Sequence, residues 1–387
     1  MKRRLALAAV TVAMAGAAAP AQAIPAFARR YDVECHFCHQ GYPKLNNIGL
    51  RFKERGFRLE HEDAFDANAW TRSVPVAMRA SARHDFSDET SGSTSMFLKP
   101  VSAGNLGERL AYWADTGFAI NKNDFSHSKP DNAWLRFEIV RGGKLYAKVG
   151  RFELDLPFTQ ARTPHLFSYD IYFANTGFES DHIGGFQDGF EIGGGFGNDL
   201  HWSAAVVKGR NPTGAADIGD RAGKFDANVF LRASRRLERN RVGLFAYIGR
   251  NTIVLGPTNL WDDNLLRLGA DASLWVQKMN LYGVAMYGRN DNSIATIDQP
   301  AGTGQALSFG GGFLQADYHG RDNLVLTLRF NLVNGPGEAA ATDKETFTGI
   351  FPGLQLWLFE RAKLSFEYGL LNRERFSYGA IQVEVAF

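Results

Sequence analysis

Both cysteines of this chain fall in a single run, Cys35-His36-Phe37-Cys38-His39. C-x-x-C-H is the attachment signature of a c-type haem. Two thiols at this spacing can bond to the two vinyl groups of one haem, and the histidine that follows can bind the iron axially. Cys35, Cys38 and His39 are therefore the candidate cofactor-binding residues, His39 is the candidate metal ligand, and one covalent haem c is the expected cofactor. Iron held in this way serves one-electron transfer. Other uses of the run fit less well. A structural zinc takes four ligands, and no second cysteine pair exists. A thioredoxin-like pair needs a βαβ setting, which is absent. A disulfide across two residues would be strained.

The segment before the motif supplies an address. Lys2, Arg3 and Arg4 precede a mostly Ala/Val/Leu stretch from Leu5 to Ala19, and Ala21-Gln22-Ala23 is a small-residue cleavage site. Residues 1–23 read as a secretory signal peptide, and the apolar stretch is short for a membrane span. Export agrees with the motif, because c-type haem is attached outside the bacterial cytoplasm. The remaining residues are long enough for more than one domain. With 43 Lys+Arg against 41 Asp+Glu, nothing in the charge suggests a nucleic-acid partner. There are 41 Gly and 30 Phe, yet mean hydropathy is -0.23 and no second apolar run approaches a spanning helix. That combination points to a membrane β-barrel.

Period-two alternation supports it. Ile381, Val383, Val385 and Phe387 share one face of the C-terminal segment, with Gln382 and Glu384 on the other. Ending on an aromatic in such a strand resembles the terminal signal of outer-membrane barrels. Leu324, Leu326, Leu328, Phe330 and Leu332 alternate with Asn323, Thr327, Arg329 and Asn331, with Val325 and Val333 as exceptions. Similar runs occupy 133–139, 266–274 and 363–370. A soluble sandwich could alternate in the same way, so the connections matter more. Short turns at 141–143, 197–199, 237–240, 277–278, 319–322 and 360–362 separate longer loops at 121–131, 154–185, 210–223, 251–264, 290–307 and 334–345. This is the short-turn, long-loop rhythm of an outer-membrane barrel. Residues 74–387 are expected to form a transmembrane antiparallel β-barrel of about 16 strands, with 96–101 the weakest strand. In such a barrel Leu328→Arg should damage assembly more than Thr327→Arg, which would face a solvated lumen.

Residues 24–73 read differently. Ala26 to Tyr31 carries a short helical pattern. Leu45, Ile48, Gly49 and Phe52 recur at helical spacing, with Pro43 suited to the first turn and Gly56 to the C-cap. Two small helices around one haem make a module of about 50 residues, too small to bury much core alone. It is a plausible barrel plug.

Pro25-Ala26-Phe27-Ala28-Arg29, the Cys35-x-x-Cys38-His39 run, Pro43-x-Leu45, Gly49, Phe52-Lys53 and Gly56-Phe57 together resemble the fused monohaem cytochrome–porin family of bacterial outer membranes. The Gly150-Arg151-Phe152 to Pro157 stretch is also porin-like. Iron oxidases are the best-known members. The resemblance implies a bacterial outer-membrane protein with its haem module on the periplasmic side or in the barrel lumen. It implies that electrons pass from an extracellular donor, Fe(II) foremost, to a periplasmic carrier such as a soluble cytochrome, with Fe(II) oxidase activity. By matching position, Cys35 and Cys38 are the thioether attachments and His39 the proximal ligand.

The second axial ligand stays open among Met78, His61, His36 and Met96. The apolar face of the first strand, which holds Met78, should meet lipid. Asp262-Asp263 and Glu179-x-Asp181 are loop acids that could attract Fe²⁺, although solvated loop charge explains them equally. Lumenal Arg136, Arg232, Arg267 and Arg329 would repel cations unless Asp226, Glu138 and Asp271 neutralise them. Two alternatives accompany the conduit reading. One is a diffusion porin with a haem plug, and the other a haem conduit serving a donor other than iron.

Overall fold

The computed structural model describes residues 26–41, 43–59, 75–87, 92–121, 124–127, 131–159, 163, 165–174, 183–197, 199–208, 227–255, 259–293, 305–336, 344–359, 362–372 and 377–386. The expected signal peptide, His61, Glu179, Asp181, Asp226 and Phe387 lie outside them.

Among the described residues, eighteen strand segments form one antiparallel sheet that closes on itself. They are β1 Val76–Ser87, β2 Ser93–Asn105, β3 Leu110–Asp115, β4 Phe118–Asn121, β5 Asp124–His127, β6 Asn132–Val140, β7 Leu145–Glu153, β8 Phe186–Phe196, β9 Leu200–Val207, β10 Asn228–Leu237, β11 Asn240–Leu255, β12 Asn259–Val276, β13 Met279–Ser293, β14 Gln305–Arg321, β15 Leu324–Pro336, β16 Lys344–Phe359, β17 Ala362–Leu371 and β18 Ser377–Ala386. β3 and β4 both pair with β2 and make one stave. β5 and β6 pair with β4 and β3 and make the next. The barrel is thus sixteen-stranded. β1 and β18 close it, from Arg79 opposite Ala386 to Ser87 opposite Tyr378. Closure leaves no unpaired edge, the condition for a sheet to stand in lipid.

Alternation sets which side chains face out. On β15, Leu326 is 45% exposed and Leu328 54%, whereas Thr327 is 7% and Arg329 1%. Leu135, Phe137 and Ile139 on β6 are exposed beside buried Arg136 and Glu138. The apolar set therefore faces outward and the polar set inward, the reverse of a soluble sandwich. The short turns at 141–143, 237–240 and 277–278 fall where the sequence places them, that expected at 319–322 falls at 322–323 because β14 runs to Arg321, and 198 and 360–361 lie outside the described residues. One of the expected long loops, 251–264, is largely strand, since β11 runs to Leu255 and β12 starts at Asn259; β5 lies within 121–131, and β13 to β16 take in the ends of 290–307 and 334–345. Those stretches are rich in Asn, Asp and Gly, which argue for loop only where the backbone is solvated. Strands extended beyond the lipid belt tolerate them.

The lumen is not empty. Residues 154–159, 163 and 165–174 fold inward and carry the short helix α3, Asp170–Phe173, counted after α1 (Ala26–Tyr31) and α2 (Asn47–Glu54) of the N-terminal module. The Glu367 carboxylate accepts from the Leu166 N–H and, at 3.0 Å, the Phe167 N–H, while Arg329 donates to the Phe167 carbonyl at 3.1 Å. Tyr169 stacks on Phe313 with ring centroids 3.8 Å apart. Leu154, Leu156, Phe158, Ile171 and Tyr172 join these rings in one buried apolar cluster that reaches Phe230 and Phe245 across the lumen.

This filling changes one expectation. Thr327 is packed against Gly353, whose added Cβ would lie 2.6 Å from Thr327 Oγ1, so an arginine at 327 would not find open water. Leu328→Arg still carries the larger membrane cost, about 2–4 kcal/mol near mid-bilayer. Folding titrations into lipid vesicles should show that loss, with Leu328→Ala as the control that keeps the site apolar.

Candidate haem-binding site

The N-terminal module docks inside the barrel at the end that carries the short turns. Asn47 donates to the carbonyl of Glu238, in the β10–β11 turn. Arg136 donates to the carbonyls of Lys53, at 2.8 Å, and Glu54. Arg58 pairs with Glu138 at 3.0 Å, both nearly fully buried. An aromatic cluster seals the contact: Phe57 lies between Phe27, at 4.8 Å, and the wall residues Trp113 and Trp134, at 5.6 and 5.9 Å.

Within the module α1 leads to a 3-10 turn at Cys35–Phe37, which contains most of the motif. The two thiols are not joined in a disulfide. Burial pushes the Cys38 thiol up, and Cys35 beside it adds to that. Asn46 then starts α2: its side chain accepts from the Gly49 N–H at 2.9 Å and donates to the Phe37 carbonyl at 2.9 Å. One residue thus caps the helix and ties it to the motif. Pro43 does not occupy the first helical turn as its type suggested. It lies before the cap, and its carbonyl has a different task. Gly56, with φ +64°, follows the end of α2 as expected of a C-terminal glycine. Gly49 packs so tightly on the Cys38 carbonyl that an added Cβ would collide with it.

His39 carries the clearest chemical signal. Its Nδ1 lies 3.1 Å from the Pro43 carbonyl oxygen, which can only accept. Nδ1 therefore bears the hydrogen, and this tautomer keeps its lone pair on Nε2, the arrangement typical of metal-ligating histidines. Burial holds the imidazole down to about 4, against the pull of the Pro43 and Lys44 backbone. The ring is neutral at pH 7, as a ligand must be. A cavity of about 420 Å³ is lined by Cys35, Cys38 and His39 on the module side and by Trp134, Phe152 and Phe158 on the barrel side. Paired thiol positions, a tautomer-fixed neutral histidine and a chamber lined by aromatic rings, with basic side chains such as Arg136, Arg232 and Arg241 that could meet carboxylates, suit a covalently held haem.

Of the proposed second ligands, the described ones do not reach this chamber. Met78 lies on the face of β1 opposite Arg79, whose guanidinium meets lumenal Glu384 at 2.7 Å, and Met96 pairs with outward-facing Ala82. His36 is exposed and bonded to Glu34 at 2.9 Å. The period-two pattern argued against Met78 by placing it on a lipid-facing side, and the register with β1 now places Met96 on that side as well. The lumenal arginines are largely neutralised. Arg232 makes two bonds to Asp271, at 2.9 and 3.1 Å, Arg329 meets Glu367 at 2.9 Å, and Glu138 serves Arg58. Asp263 is buried and accepts from Asn290 at 2.6 Å, so it is not a solvated loop acid. No metal-binding cluster of His, Cys, Asp or Glu occurs among the described residues.

Sequence reasoning missed the polar anchor of the site. Lys44 is 6% exposed, and its Nζ donates to Asn280 at 2.5 Å and to Asp317 at 2.9 Å over the ring of Tyr282. Burial lowers it to about 8 despite the Asp317 charge. Asp317 alternates inward with Gln315, so its facing was legible, but nothing local pairs it with a residue 273 positions away.

A sixteen-stranded barrel with an inward-folded segment and short turns at one end is the architecture of porins. The comparisons agree at the level of fold. OmpT of Vibrio cholerae in its in-vitro folded form is similar, with 11% identity, TM-score 0.58, and 81% of this chain and 97% of that chain covered. OmpF of Salmonella typhi, in complex with daunomycin, shows 11% identity, TM-score 0.58, and 81% and 98% coverage. No protein-family profile and no curated protein matches the chain.

Proposed function

We propose that this chain is a bacterial outer-membrane electron-transfer protein. In this reading one haem c, attached at Cys35 and Cys38 and ligated by His39, links an extracellular donor, Fe(II) foremost, to a periplasmic carrier such as a soluble cytochrome. The reading rests on one observation: the C-x-x-C-H run faces an aromatic chamber with its histidine fixed in the ligating tautomer by Pro43. Haem bound there would supply one-electron redox chemistry. The protein's own residues do the rest. Short turns mark the periplasmic end of such barrels, so docking of the module at that end supports exchange with a soluble carrier. Trp113, Trp134 and Phe57 pack together on one side of the chamber, and Phe158 lines it as well.

Haem staining of a denaturing gel, followed by stopped-flow mixing of the oxidised protein with Fe(II), tests this. A stained band and development of reduced haem bands are expected. A stained band that Fe(II) does not reduce, but another donor does, would favour the conduit with a different donor. The diffusion-porin reading has the likeness to OmpF in its favour. The apolar packing of Leu154, Leu156, Phe158, Tyr169, Ile171 and Tyr172 across the lumen weighs against it. In planar bilayers the purified protein is therefore expected to conduct far less than an open porin, and porin-sized steps would revive that reading.

A further inference from the structure

The short segment between His39 and α2 is held by the barrel at two places. Gly41, with φ +71°, is pressed against β15 so closely that an added Cβ would lie 3.0 Å from Val325 Cγ2. Lys44 reaches β13 and β14 through Asn280 and Asp317, both with no exposed surface. Between these points lies the peptide unit of Pro43 and Lys44. It is planar, so its carbonyl and N–H move together. The carbonyl accepts from His39 Nδ1 at 3.1 Å, and the Lys44 N–H donates to the Gly41 carbonyl at 3.0 Å. The Gln40 N–H closes the loop on the Lys44 carbonyl at 2.9 Å.

We propose that the barrel wall sets the electronic character of the axial histidine, with Lys44 as the positioning residue. Pinned by Asp317 and Asn280, Lys44 fixes the plane of the Pro43 peptide and so the hydrogen bond to His39. This inference rests on the haem reading above. A hydrogen bond accepted from the distal nitrogen of a metal-bound imidazole raises the ligand's basicity. A more basic ligand favours ferric over ferrous iron and lowers the potential. The barrel is then more than a container: it tunes the redox centre through one buried lysine.

The experiment is an optical redox titration of detergent-purified full-length protein after haem staining. Lys44→Met removes the anchor and keeps the apolar stem. The paired variant Lys44→Met with Asp317→Asn also spares the wall a lone buried charge. Arg58→Met breaks the other buried docking pair and does not touch the His39 loop. Both Lys44 variants are expected to retain covalent haem and to shift the ferric/ferrous balance about tenfold toward ferrous, a rise of about 59 mV for one electron. Arg58→Met is expected to leave the potential unchanged. An unchanged potential in the haem-loaded Lys44 variants would overturn the proposal. So would an equal rise in Arg58→Met, which would mean only that loosening the module matters. Absence of covalent haem from the unsubstituted protein would instead strike the electron-transfer reading itself.

Discussion

Cys35→Ala and His39→Ala are each expected to abolish haem reduction by Fe(II), and iron oxidation by whole cells, while leaving the barrel folded. The two halves of the protein are stabilised by different means. The barrel's backbone hydrogen bonds close on one another through the β1–β18 pairing, and its inward segment is held by β15 and β17 through Arg329 and Glu367. None of those contacts involves the motif. The module buries little apolar surface of its own. Its rings Phe27, Phe52 and Phe57 line the same chamber as Cys35 and His39, so an unfilled chamber leaves part of that surface without a partner. His39→Ala keeps both thiols but removes the imidazole nitrogen proposed to bind the iron, and Cys35→Ala keeps that nitrogen but leaves a single thiol for attachment. Heat-modifiable gel migration reports the barrel, haem staining reports attachment, and rapid-mixing absorbance reports reduction. Retained migration with lost reduction is the expected pattern. Wild-type iron oxidation through a His39→Ala protein would mean that electrons bypass the motif.

The barrel was legible because its signal is repeated. A single alternating run such as 381–385 can belong to many folds, but runs of that kind with opposite faces at each strand, joined by alternating short and longer connections, have few other readings. The strand ends were less legible. Asn259 to Asp263 looks like a polar loop, yet it continues β12 beyond the lipid, where polarity no longer signals a turn. The motif was legible in the same local sense, since C-x-x-C-H carries its chemistry in five adjacent residues. Its surroundings were not. Pro43 read as a helix-starting residue because position alone cannot reveal that its carbonyl meets His39. Lys44 carried no signal in the sequence because its partners, Asn280 and Asp317, are brought to it only when the barrel closes around the module. Long-range pairings of this kind have no periodicity to betray them.

Gly49→Ala should be strongly damaging to the N-terminal module. Gly49 lies in the first turn of α2, and Asn46 anchors that turn to the Phe37 carbonyl as well as to Gly49's own N–H. A Cβ at 49 would strike the Cys38 carbonyl oxygen and lie 2.8 Å from Leu45 Cδ2. The leucine end can swing away, but the carbonyl cannot, because the Asn46 N–H donates to it at 2.9 Å and the same backbone carries the second thiol. Relief therefore requires α2 to lift from the motif. Lifting α2 stretches the Asn46 bonds, and loss of such a cap alone costs about 1 kcal/mol. It also pulls the His39–Leu45 bridge and the Pro43 carbonyl out of register with His39. The expected outcome is a folded barrel with sharply reduced covalent haem, read as haem absorbance per mole of protein, and weak reduction by Fe(II) in what remains. Asn46→Ala removes the cap without the collision and should lose far less haem. Equal haem loading in Gly49→Ala and the unsubstituted protein would show that the helix does not need to rest on the Cys38 carbonyl when the thiols are joined to haem.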